Sequence, residues 1–202
     1  MSFSKKKIGL YFGSFNPIHL GHLILANYFI QNTNLSKIWF VVSPQNPLKG
    51  RLSLLDDDIR FRLVQLAIKD NLSFVASNVE FGLSLPSYTI NTLEYLSTRN
   101  ADKEFSIIMG EDNLNNFDKW KDYQKIIENY QIYVYPRQVM SGMDKVKRGD
   151  KYLDSNITMV NAPIINISAS YVRELLRKGQ SVRYFVPDRV YEEIEKKHLY
   201  KQ

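Results

Sequence analysis

Short runs of β-prone apolar residues recur along this chain, each separated from the next by a polar or helical stretch, and that alternation limits the folds open to it. Ile8-Gly9-Leu10-Tyr11-Phe12, bounded by Gly13, is the first such run and reads as a buried strand. Residues 37–43, 73–76, 105–110, 131–135 and 157–160 repeat the pattern. Between them, apolar residues fall at a 3.6-residue period: Leu20, Leu23, Ile24 and Phe29, then Ile59, Leu63, Leu66 and Ala67, then Tyr88, Leu93 and Leu96. Ser53 is placed to cap the second of these helices, and a short helix is expected over 122–129. Strand alternating with helix predicts an α/β chain whose parallel sheet is covered on both faces. In such sheets ligands bind outside the carboxyl ends of the strands.

The loop after the first strand is Gly13-Ser14-Phe15-Asn16-Pro17-Ile18-His19-Leu20-Gly21-His22. It places two histidines three residues apart at a helix start, where they share a face. Unpaired backbone N–H groups and the positive end of the helix dipole lie at the same place, so an anion fits there. A zinc-protease helix would need its histidines four apart with a glutamate beside the first, and that pattern is absent. His19 and His22 as core residues at a helix start would repel if charged and be idle if neutral, which favours the phosphate reading. His198, in the Lys-Lys-His-Leu-Tyr-Lys segment, reads as an exposed side chain.

Composition narrows the class further. A chain of 202 residues with 44% hydrophobic content supports one sizeable core, so one domain over 1–202 is expected. With no cysteine, thiol nucleophiles and thiolate metal sites are excluded, and a cytoplasmic setting is expected. No apolar segment approaches the roughly 18 to 20 residues that span a bilayer, so no membrane partner is expected. A net charge of +6 admits nucleic acid or small phosphorylated partners alike. The densest basic stretch, Lys145 to Arg148 with Lys151, has only Tyr152 as an aromatic neighbour and reads as a solvated loop. Neither G-x-x-x-x-G-K-(S/T) nor G-x-G-x-x-G follows the first strand.

Two motifs now identify a resemblance. Residues 13–22 resemble the H-x-G-H signature of the HxGH nucleotidyltransferase superfamily, and Ile167-Ser168-Ala169-Ser170-Tyr171-Val172-Arg173 resembles its second signature, I-S-x-(S/T)-x-x-R. Pro86-Ser87-Tyr88-Thr89, Gly110-Glu111-Asp112 and Trp120 are similar to segments of the bacterial nicotinate-nucleotide adenylyltransferases, and the likeness runs from about Lys7 to Tyr200. It implies a Rossmann-like doubly wound parallel sheet. The implied reaction joins the 5′-phosphate of nicotinate mononucleotide to the α-phosphate of ATP, releasing pyrophosphate. His19, His22, Arg173 and Lys49 are then the catalytic residues. Gly13, Ser14, Phe15, Gly110, Asp112, Ile167, Ser168 and Ser170, with His22 and Arg173, meet ATP. Ser14, Phe15, Lys49, Tyr88, Thr89, Trp120, Lys121 and Arg137 meet nicotinate mononucleotide.

Magnesium is expected as Mg-ATP, with few direct protein ligands. Ser168 is placed to cap a helix carrying Tyr171, Val172, Leu175 and Leu176, which would aim a second helix N-terminus at phosphate. Lys121 stands where many relatives carry tyrosine, and Asn46-Pro47-Leu48 departs from their Pro-Pro-His form. Two rivals remain open at this stage, adenylyl transfer to nicotinamide mononucleotide and a basic nucleic-acid-binding module. Oligomeric state is open too.

Overall fold

The computed structural model describes residues 4–44, 54–137 and 156–201. Lys49, Ser53 and the basic residues Lys145 to Lys151 lie outside them. Six strands form one sheet: β1 (Lys6–Gly13), β2 (Lys37–Val42), β3 (Phe74–Ser77), β4 (Lys103–Gly110), β5 (Gln131–Tyr135) and β6 (Ile157–Met159). Their spatial order is β3-β2-β1-β4-β5-β6 and every pairing is parallel. The chain builds outward from β1 to β3, then returns to lay β4 along the other edge of β1. This is the doubly wound order, and its switch point lies between β1 and β4.

The helices are α1 (Leu20–Asn32), α2 (Asp57–Ile68), α3 (Thr89–Arg99), α4 (Glu111–Leu114), α5 (Tyr123–Asn129), α6 (Ala169–Arg177) and α7 (Asp188–Lys196). Alternation along the strands sorts them into two layers. Ile38, Phe40 and Val42 point to one face, where Phe29, Leu63, Val172 and Val190 bring in α1, α2, α6 and α7. Val41, Ile107 and Val134 point to the other and meet Ile90, Leu93 and Ile126 from α3 and α5. With both faces buried, the strands read as nearly continuous apolar runs. That is why they stood out in the sequence.

Two local expectations are corrected. Ile24 is 42% exposed, and the buried face of α1 is instead Gly21, Leu25, Ala26 and Phe29. That helix is apolar almost all round, so periodicity had no polar side against which to orient it. Helix α2 is capped not by Ser53 but by Asp56, whose carboxylate accepts from the Asp58 and Ile59 N–H groups at 3.0 and 3.4 Å. Asp57 and Asp58 in its first turn add charge favourable to the dipole. After β4 the chain enters the single-turn helix α4 directly. None of the described helices is long and apolar enough to cross a membrane.

Candidate active site

β1 and β4 both end in glycine, Gly13 and Gly110, and a cavity of about 480 Å³ opens over their carboxyl ends. Its position is the switch point of the sheet, and its volume suits a nucleotide-sized ligand.

The loop below the cavity is held from underneath by a residue that sequence reasoning missed. Arg60 is fully buried on α2. Its guanidinium donates to the carbonyls of Ser14, Ser43 (3.1 Å) and Leu55 (3.0 Å), and to Asp57 Oδ1. Carbonyl and N–H of a trans peptide point to opposite sides. Drawing the Ser14 carbonyl down onto Arg60 therefore turns the Phe15 N–H up toward the cavity. Phe15 takes a positive φ of 44° to do so, a costly conformation for a bulky residue. Its ring is buried edge-on to Tyr11 and His22, at 6.0 and 5.0 Å between centroids. Phe15 can thus serve the site through its backbone.

His19 is the N-cap of α1 and His22 lies in its first turn, their rings stacked at 3.7 Å. The His19 N–H donates to His22 Nδ1 at 3.2 Å, so the proton of neutral His22 sits on Nε2. Burial, with a smaller contribution from Arg137, holds His19 at about 4. Burial, then His19, then Arg137 hold His22 well below the ordinary histidine range. Both rings are therefore neutral at pH 7. The glycine between them is a matter of space, since a Cβ on Gly21 would lie 3.0 Å from both His19 Nδ1 and Ile165 Cγ2.

The end of the chain braces the same loop. Arg173 on α6 donates to the Asn16 carbonyl at 2.7 Å and to Ser170 Oγ at 3.2 Å. Tyr200 donates its hydroxyl to Asn16 Oδ1 at 2.9 Å, and the Leu20 N–H donates to the Phe185 carbonyl at 2.8 Å. Ser168 caps α6, accepting from the Tyr171 N–H at 3.2 Å as its position suggested. Ile167, Ser168, Ser170 and Arg173 line the cavity, which places the second motif opposite the first.

Another wall is built by α3. No side chain caps it, and with the Asn91 N–H donating to the Tyr88 carbonyl at 3.0 Å the N–H groups of Thr89 and Ile90 are left without an intrahelical acceptor, an end suited to an anion. Trp120 lines this wall, propped edge-on by Phe117 at 5.2 Å, and Lys121 Nζ stands 5.0 Å from the centroid of the Tyr88 ring. Glu80, also missed in the sequence, contributes a carboxyl group only 2% exposed, and Thr92 Oγ1 donates to its Oε1 at 2.8 Å.

At the β4 and β5 ends, Arg137 Nε lies 3.6 Å from Asp112 Oδ1 and its NH2 group donates to Tyr135 Oη at 3.3 Å. The hydroxyls of Tyr135 and Tyr11 are 3.2 Å apart. A Cβ on Gly110 would fall 2.4 Å from Asp112 Oδ1, so glycine there leaves room for the carboxylate. Among the described residues no group of three His, Cys, Asp or Glu side chains is placed to hold a metal ion. Every proposed site residue except Lys49 lines the one cavity. Lys49 lies outside the described residues.

Comparison with known proteins adds independent findings. The profile of the cytidylyltransferase-like family matches residues 10–175. A protein of Cytophaga hutchinsonii named a probable nicotinate-nucleotide adenylyltransferase is 46% identical over 194 residues, covering 96% of this chain and 98% of its own. One of the same name from Flavobacterium psychrophilum is 44% identical over 197 residues, covering 97% of this chain and all of its own. Among solved structures, the Plasmodium falciparum nicotinic acid mononucleotide adenylyltransferase complexed with NaAD superposes with a TM-score of 0.78 at 19% identity, covering 96% of this chain and 97% of its own. That likeness is one of fold.

Proposed function

The chain belongs to the cytidylyltransferase-like family, among the nicotinate-nucleotide adenylyltransferases, and on that footing we propose that it transfers the adenylyl group of ATP to nicotinate mononucleotide, yielding deamido-NAD and pyrophosphate. One nucleotidyltransferase domain carries the whole reaction. The observation that supports the reading best is the convergence of His19, His22 and the two motif helices on one cavity at the switch point of the sheet.

The attacking group is a phosphate monoester oxygen, which is nucleophilic at neutral pH without losing a proton to the protein. It forms a bond to the α-phosphorus of ATP while the bond to the bridging oxygen of the departing pyrophosphate breaks. What the protein supplies is alignment and stabilisation of the charge that shifts onto the leaving group. Histidines that are neutral at pH 7 suit this work: His22 Nε2–H is a fixed donor rather than a proton reservoir. The upturned Phe15 N–H and the Ser14 hydroxyl add donors from the loop, and Arg173 brings positive charge from α6 to the β- and γ-phosphates. Arg137 and Asp112 act as a pair near the sugar and phosphates. Magnesium enters as part of Mg-ATP, held mainly by phosphate oxygens and water, with the exposed Asp112 carboxylate within the same cavity.

Selection of acid over amide falls to the free N–H groups at the start of α3, beside Thr89. Donors satisfy a carboxylate on both oxygens, whereas the NH2 of a carboxamide would face N–H groups that cannot accept from it. Trp120 stacks on the pyridine ring, and Lys121 adds positive charge at the mouth of the pocket. The test is pyrophosphate release measured with nicotinate mononucleotide and with its amide, each against ATP and CTP. The expected result is a clear preference for the acid with ATP. Equal kcat/KM for acid and amide would remove the pocket argument, and preference for CTP would remove the adenylyl assignment.

A further inference from the structure

Glu80 lies on a short 3-10 turn, Val79–Gly82, after β3, and its carboxyl group forms part of the cavity wall next to Ser87. One oxygen is accounted for by Thr92 on α3. The other, Oε2, is buried and has no hydrogen-bond partner, and neither has the buried hydroxyl of Ser87. A native wall seldom leaves a buried acceptor and a buried donor unmatched side by side, because each forfeits its hydration for nothing. Together they describe the ligand group that would complete them. It must donate to a carboxylate and accept from a hydroxyl, and a sugar hydroxyl does both.

A carboxylate on the ligand fails the test, since it offers no hydrogen to Glu80 and carries the same charge. A carboxamide would pass it, but the substrate of the proposed reaction carries an acid. We infer that Glu80 and Ser87 bind a ribose hydroxyl of the mononucleotide substrate, with Glu80 Oε2 accepting from it and Ser87 Oγ donating to it. This rests on the reading of the site as one for nicotinate mononucleotide, whose sugar must pass this wall if its pyridine lies between Trp120 and the start of α3. Burial raises the Glu80 carboxyl above the ordinary range; the Thr92 hydroxyl that donates to it opposes the rise, as do the hydroxyls of Ser43 and Ser87, the latter close by but not in hydrogen-bond geometry with it. A bound hydroxyl would pull it back down. Thr92 ties Glu80 to the helix that carries the acid-selecting N–H groups, so the sugar and the pyridine are gripped by one connected unit.

The experiment uses nicotinate mononucleotide and its 2′-deoxy and 3′-deoxy analogues, first with the wild-type protein and then with Glu80→Gln. In the wild type one of the two analogues should show a KM raised about tenfold, as for loss of a hydrogen bond to a charged group, with the KM for ATP within about twofold. Glu80→Gln should raise the KM of the parent substrate by a similar factor and no longer distinguish it from that analogue. If neither deoxy analogue is penalised, or if Glu80→Gln keeps the full discrimination and merely melts earlier, Glu80 is an internal clamp and the inference is overturned. A gain in use of the acid relative to the amide in Glu80→Gln would place the carboxyl against the pyridine instead and overturn it equally. Should that variant fail to fold, Ser87→Ala carries the same comparison. A wild-type protein that turns over no nicotinate mononucleotide at all would count against the proposed reaction, and the first assay reveals that before any variant is made.

Discussion

The stacked histidines make acid the weak side of this protein's stability, and His19 allows the effect to be worked through. An unfolded histidine titrates near 6.5, whereas the folded protein holds His19 at about 4. Between those values the unfolded chain binds a proton that the folded chain refuses, so stability is complete above about pH 7.5 and falls as the pH drops. The limiting slope for one such group is about 1.4 kcal/mol per pH unit. By pH 5 the loss from His19 alone reaches about 2 kcal/mol. The group is 4% exposed, so solvent screening takes little from that figure. His22 adds to the loss in the same direction. Glu80 acts oppositely, because an acid raised in the folded state favours folding as it protonates.

The comparison that isolates the histidine is therefore wild type against His19→Asn, by urea unfolding from pH 7.5 down to 5. Asparagine keeps a polar group at the N-cap and cannot titrate. Whatever the two differ by at pH 7.5, the wild type should lose about 2 kcal/mol more than the variant by pH 5. A difference that stays constant within about 0.5 kcal/mol over that range would refute the claim that the folded site keeps His19 neutral.

Three other outcomes are expected. His22→Ala should lower turnover by two orders of magnitude or more with the melting temperature nearly unchanged, since a transition-state donor is lost from the cavity rim; normal turnover would defeat the proposed mechanism. Arg60→Lys should cost about 1 to 3 kcal/mol in urea and reduce kcat/KM, because an ammonium cannot serve the Ser14, Ser43 and Leu55 carbonyls and Asp57 together; a stable and fully active variant would show that the Ser14–Phe15 peptide needs no such anchor. Gly21→Ala should impair nucleotide affinity, measured by calorimetry, by pushing His19 and Ile165 apart, and unchanged affinity would mean that the histidine stack has slack.

The sheet was legible because burial on both faces makes each of its strands an apolar run, and because β1 and β4 end in glycine beside polar loops. The paired motifs brought in most of the residues that line the cavity, and Ser168 betrayed its cap through its position before an apolar stripe. The buried face of α1 was not legible, since Ile24 and Leu25 are alike in hydrophobicity and differ only in what lies beside them. Arg60 did leave a trace. It sits three and four residues before Leu63 and Val64, on the face that α2 buries, where an arginine signals a charge wanted inside. Glu80 left less, a single glutamate between Val79 and Phe81, and its importance depends on Thr92 and Ser87 arriving from a different element. Contacts of that kind exist only after folding.

The bracing of residues 13–22 also sets an order in time. Residues 13–22 take supports from Arg173, Phe185 and Tyr200, far along the chain; the Arg173 and Tyr200 contacts to Asn16 span 157 and 184 positions. A growing chain carries residues 13–22 with Arg60 to anchor the Ser14 carbonyl long before Arg173 and Tyr200 can secure Asn16. The sheet by itself therefore does not fix the loop. The loop has its full set of supports only when the segment that carries Arg173, Phe185 and Tyr200 packs back against it. Contacts closed over so great a sequence separation form late, because the entropy of closing the intervening chain must be met before they can reward it.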